Sequence, residues 1–84
     1  MKRYFVKSLA YNMICFVDNN NMCYAFTEHC FDVPLTIDTI KTLDYSAVDG
    51  CNTAYEIDII VGCNKGIFNF DEILNDKTNV VIEF

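Results

Sequence analysis

The chain predicts a small α+β domain: an antiparallel sheet made of an N-terminal meander plus a C-terminal strand, with two short helices packed on one face. Three observations carry that expectation. Two aromatic-rich apolar runs, residues 11–17 (YNMICFV) and 22–27 (MCYAFT), flank the polar cluster 18–21 (DNNN), the pattern of a β-hairpin. Thr53 and Glu56 form a T-x-x-E capping box ahead of an apolar run that Gly62 stops. Residues 80–84 (VVIEF) are a β-branched run of the kind that ties into a sheet.

Taken in order, residues 2–9 (KRYFVKSL) alternate polar and apolar side chains and read as a strand. Lys2, Arg3 and Lys7 place it at a sheet edge, where charge discourages edge-to-edge aggregation. The link at 10–12 holds no Gly or Pro, so it is either a tight turn or a bend within one strand running from 3 to 17. Across the hairpin, pairing Val17 with Met22, Cys15 with Tyr24 and Met13 with Phe26 puts those side chains on one side of the sheet. Ile14, Phe16, Cys23 and Ala25 then lie on the other. Both sides are apolar, so both call for cover: the helices on one, and the C-terminal strand, a second copy or a partner on the other. Asn tolerates the positive φ that such a connection needs.

Pro34 closes the connection 28–35. Thr36 then caps a helix with Ile37, Ile40 and Leu43 on one stripe and Asp38 in its first turn, ending near 43 or 44. Residues 45–52 form a loop containing the Asp49-Gly50 turn pair. The second helix covers 54–61. A strand over 55–61, and with it a mostly-β fold, is the competing reading. A turn at 64–66, a short strand at 67–70, a single helical turn at 70–74 opened by Asp71 and a turn at 76–79 lead to the last strand.

At 84 residues with 52% hydrophobic content, including 7 Phe and 5 Tyr, the chain suits one domain, 1–84. A core of that size gives a thin stability margin, and part of the apolar surface is left to meet a partner. Five Cys, at 15, 23, 30, 51 and 63, make an odd set with no CxxC pair, which points to a reducing, cytoplasmic setting. Early Lys and Arg interrupt any signal-peptide core, and no apolar stretch nears the ~20 residues of a membrane span. Charge is uneven. Residues 1–17 carry +3 with no acid, the remainder sets three lysines against all twelve acids, and the net charge is −6. Nucleic acid and anionic membranes repel such a chain, and a basic protein surface suits it.

Catalytic chemistry finds no pattern to rest on. His29 adjoins Cys30, yet neighbours in an extended segment point apart, and a Cys–His nucleophile needs spatial contact and a third, orienting group. The Cys and His spacings lack the two close ligand pairs of structural zinc. The three Gly stand alone at 50, 62 and 66, so there is no phosphate loop, and DNNN lacks the later Gly and Glu of a calcium loop. The sequence predicts a protein that is not an enzyme, with no catalytic, cofactor-binding or metal-ligating residues.

The candidate partner-binding residues are Asp38, Asp44, Asp49, Glu56 and Asp58, one acidic segment countered only by Lys41. Projecting from the helices and the loop between them, they would form a negative face fit for an Arg/Lys-lined groove, raising association rates and selecting partners. Alternatively, the same charges only keep an apolar chain in solution. In size and charge alone the chain resembles the small anti-restriction and anti-CRISPR proteins of mobile elements, a resemblance that carries over no residue. It implies a DNA mimic that inhibits a nucleic-acid-binding protein by occupying its surface. The second expectation is a structural, self-associating subunit, a homodimer covering its exposed apolar surface. A Cys/His enzyme is the least favoured. The DNNN tip and any bare face of the hairpin are the next places to look for contacts.

Overall fold

In the computed structural model, which describes residues 1–62 and 66–84, apolar runs rich in β-branched and aromatic residues form five strands of one antiparallel sheet. They are β1 (Lys2–Lys7), β2 (Asn12–Val17), β3 (Met22–Thr27), β4 (Ile67–Asn69) and β5 (Val80–Glu83), in the spatial order β4-β3-β2-β1-β5. With three short helices, α1 (Ile37–Ile40), α2 (Ala54–Val61) and α3 (Asp71–Leu74), the chain is an α+β fold. Its radius of gyration, 11.9 Å, is that of a single packed domain of this length.

The β1–β2 link is a tight turn held by serine. Ser8 Oγ accepts from the N–H groups of Ala10 (3.3 Å) and Tyr11 (3.0 Å), and the Ser8 N–H donates to the Tyr11 carbonyl at 3.0 Å. A hydroxyl thus does the work usually given to Gly or Pro. β1 is not an edge strand, contrary to the expectation from its charges. It lies between β2 and β5, paired to β5 from Tyr4↔Glu83 to Lys7↔Val80. Lys2 and Lys7 reach solvent from its ends, while Arg3 sits half-buried among aromatic rings.

The hairpin register differs from the expected one by a single residue. Phe16 pairs with Tyr24, Cys15 with Ala25 and Ile14 with Phe26. The cause lies in the turn. Asp18 and Met22 close the loop through the Asp18 N–H donating to the Met22 carbonyl (2.9 Å), and Asp18 Oδ1 accepts from the N–H groups of Asn20 (2.9 Å) and Met22 (3.0 Å). Asn21 takes φ +61°, the left-handed conformation that follows a type I turn in a bulged hairpin. The loop is therefore one residue shorter than the four-residue DNNN reading, and that slip exchanges the faces of β3. Tyr24 joins Ile14 and Phe16, while Cys23 joins Met13, Cys15 and Val17.

Both faces are covered, as the apolar hairpin requires. On one, α1, α2 and the intervening loop bury Phe5, Ile14, Phe16, Tyr24, Leu35, Ile40, Val48, Ala54 and Ile57. On the other, Phe70 and Ile73 from the α3 turn pack over Val6, Met13, Cys15, Val17 and Cys23, and Phe70 stacks on Tyr4 with ring centroids 4.7 Å apart. The cover on that side comes chiefly from this third helix, expected as a helical turn without an assigned face.

α1 stops at Ile40, short of the expected 43 or 44, because its last carbonyls are taken locally. Thr42 donates through N–H (3.0 Å) and Oγ1 (2.8 Å) to the Thr39 carbonyl, and Tyr45 Oη donates to the Ile40 carbonyl at 2.8 Å. α2 is helical throughout, which removes the strand reading. Thr53 Oγ1 accepts from the Glu56 N–H (3.1 Å), the Glu56 carboxylate accepts from the Thr53 N–H (3.3 Å), and Gly62 ends the helix at φ +74°. Asp18 Oδ2 accepts from the Ala54 N–H at 3.1 Å, so the hairpin turn also positions the start of α2. Positions 64 and 65 of the expected turn lie outside the described residues; Gly66 lies against the Tyr24 ring, where a β-carbon would overlap it.

Candidate functional site

α2 carries its polarity the wrong way round. Ala54, Ile57 and Asp58 face the protein, whereas Tyr55, Ile59, Ile60 and Val61 face outward, Tyr55 at 64% and Ile59 at 60% exposure. The sequence YEIDIIV has too few polar positions to dress an outer face, so whichever stripe packs inward leaves apolar side chains in water. A groove of about 460 Å³ runs beside this face, lined by Ser46, Ala47, Gly50, Cys51, Glu56, Ile59 and Ile60. Tyr55 and the two isoleucines thus form an exposed apolar patch beside the groove.

The five acidic candidates are not gathered into one face. Asp58 is 5% exposed, and its Oδ1 has no hydrogen-bond partner. It cannot present charge to a partner. Asp38 is exposed in the first turn of α1. The Glu56 carboxylate is spent on the α2 cap, where it still rims the groove. Asp44 and Asp49 do come together, in a cleft of about 510 Å³ that also contains Arg3, Lys41, Tyr45 and Phe84. Arg3 lies in the aromatic wall, its guanidinium carbon 5.1 Å from the Tyr45 ring centroid and 5.4 Å from that of Phe84. Two cations and two carboxylates line this cleft, so its local charge is balanced rather than acidic.

The cleft's groups are tuned by their neighbours. Hydrogen bonds from Ser46, foremost its backbone N–H at 2.9 Å, hold the Asp44 carboxyl below its usual value. Burial pushes the Tyr45 hydroxyl up, partly offset by the Arg3 cation. The loop between α1 and α2 separates the two concavities: residues 44 and 49 turn to the cleft, residues 46, 47, 50 and 51 to the groove.

The hairpin tip is a junction. Asp18 caps its own turn and α2, and Asn21 Nδ2 donates to Asn69 Oδ1 (3.1 Å) and Asp71 Oδ1 (3.0 Å). Only Asn19 and Asn20 stand out into solvent there.

Nucleophiles and ligands are dispersed. His29 and Cys30 are exposed on the 3₁₀ turn Glu28–Cys30, and Cys51 is half-buried beside the groove. Cys15 and Cys23 are buried together, and their mutual hydrogen bond, then burial, pushes the Cys23 thiol far above its usual range, leaving it protonated and unreactive. Among the described residues no three His, Cys, Asp or Glu side chains gather as a metal would need, and no helix is long and apolar enough to cross a membrane. Comparison with protein-family models, curated proteins and solved structures finds no match.

Sequence reasoning missed the outer face of α2. The signal was present: a capped eight-residue helix containing one Glu, one Asp and otherwise only apolar residues cannot bury them all. Asking which apolar residues stay outside would have found Tyr55 and Ile59.

Proposed function

We propose that this protein is a non-enzymatic binding module that occupies a basic protein surface through the outer face of α2. The carrying observation is that one short helix exposes Tyr55, Ile59, Ile60 and Val61 together beside an open groove. Apolar anchors of this type supply binding energy, while the net charge of −6, with Glu56 at the groove rim, selects a partner rich in Lys and Arg. In its narrower form the partner is a nucleic-acid-binding protein and the module its inhibitor. Asp38, Asp44 and Asp49 then steer the encounter rather than hold the complex.

The test is capture from lysate by the wild-type chain, by Tyr55→Ala with Ile59→Ala, and by Asp38→Asn with Asp44→Asn and Asp49→Asn. The reading expects a basic protein retained by wild type, lost by the α2 variant and merely reduced by the carboxylate variant, with retention weakening as salt rises. Capture of the same protein by the α2 variant at wild-type yield would overturn it.

A further inference from the structure

β5 ends the sheet, and among the described residues no strand covers its outer side. The Phe84 N–H donates to the Arg3 carbonyl at 3.0 Å, which fixes the direction of every backbone group nearby. In an antiparallel ladder alternate residues point to the same neighbour, so Ile82 and Val80 also address β1, and the N–H and C=O groups of Val81 and Glu83 point outward. This edge is four residues long and carries one charge, Glu83, but has no Pro, no Lys and no bulge. Val80 and Ile82, opposite Lys7 and Phe5, share the face that α1 and α2 cover and are 52% and 41% exposed.

We propose that a second copy of this chain adds to that edge, β5 against β5, about a two-fold axis perpendicular to the sheet through Val81. Antiparallel partners must present side chains to the same face, which allows only pairings between residues of like parity. Centring on Val81 uses the outward groups: Val81 exchanges both backbone bonds with Val81 of the second copy, and the Glu83 N–H meets the Asn79 carbonyl across the axis. The same register places each Val80 beside the other copy's Ile82, covering exposed apolar side chains, and sets Glu83 against a neutral residue. The perpendicular axis keeps α1 and α2 of both copies on one face of a ten-stranded sheet and α3 of both on the other, so both α2 faces sit on one side of the dimer. This contact uses a surface separate from α2 and does not depend on the function proposed above.

Sedimentation velocity from about 10 µM to about 1 mM tests it, the range suited to a small interface. The monomer mass is 9.7 kDa, and the expectation is a shift toward twice that mass with concentration. The shift grows with added salt, because each copy carries −6 and screening removes their repulsion. Val81→Pro deletes an outward N–H and spares the β1 ladder, so it abolishes the shift while the far-ultraviolet spectrum is retained. Val80→Lys with Ile82→Lys, which lowers the repulsion yet removes the apolar pair, abolishes it too. In a Cys30→Ser background, Val81→Cys forms a covalent dimer on oxidation and Ile82→Cys does not. A monomer at every concentration and salt, a dimer unmoved by both edge variants, or cross-linking through position 82 alone would overturn the proposal.

Discussion

The Arg3 cleft and the outer face of α2 make an instructive pair. By sequence, the cleft's loop was the more promising, since it holds Asp44 and Asp49 within the acidic segment. Folding brings Arg3, more than forty positions away in the sequence, into the same wall, so two cations and the two Asp side chains line one cleft. The α2 face has the opposite history. Nothing in a charge count draws attention to it, yet Tyr55, Ile59 and Ile60 stay more than half exposed. Charge read along a chain is provisional until long-range neighbours are known; the apolar surplus of α2 is larger than its packed stripe of Ala54 and Ile57 takes up.

Substitutions on and away from the two surfaces separate their roles. One large expected loss is away from both surfaces: Gly66→Ala drives a methyl into the buried Tyr24 ring and should cost about 3 kcal/mol, read by denaturant unfolding. Within α2, Ile57→Ala empties a fully buried site and should cost about 2–5 kcal/mol, whereas Ile59→Ala, one turn face away, should stay within about 0.5 kcal/mol. Equal losses at the two positions would mean that the outer face is covered in solution. Asp58→Asn keeps the shape of a buried side chain whose Oδ1 accepts no hydrogen bond, so stability should change by no more than about 1 kcal/mol. A clear loss would reveal a partner for that carboxylate.

The smallest effect is pH-linked. Asp44 and Asp76 have carboxyls held below the ordinary 3.8, by the backbone and side chain of Ser46 and by the hydroxyl and backbone of Thr78. A depressed folded value means fewer bound protons in the folded state. Their stabilisation is therefore complete above the unfolded value and is lost as pH falls through the folded one. Unfolding midpoints measured from pH 6 down to about pH 2 should show a shallow decline beginning near pH 4, reduced by Thr78→Val and Ser46→Ala.

Much of the architecture was legible. The hairpin, both Thr caps, the Gly62 stop and the C-terminal strand rest on local signals within a few residues, and local chemistry decides them. What was not legible depends on choices local patterns leave open. DNNN supports either a four-residue loop or a bulged three-residue one, and the Asp18 carboxylate bonding to the Met22 N–H selects the latter. The interior position of β1 depends on capture of β5 from the far end of the sequence. Of the acidic site, Asp38, Asp44, Asp49 and Glu56 are on the surface, as an unpaired carboxylate prefers; Asp58 faces inward because Ile57 and Ala54 set the packed stripe of α2.

The most direct test of the central claim is an equilibrium titration of the captured basic partner against two double variants. Tyr55→Ala with Ile59→Ala should weaken binding about 100-fold, the scale of paired hot-spot residues. Asp44→Asn with Asp49→Asn, which touches a cleft already balanced by Arg3 and Lys41, should weaken it by no more than about fivefold. The reverse order, with the cleft carboxylates dominant and the α2 face indifferent, would contradict the account.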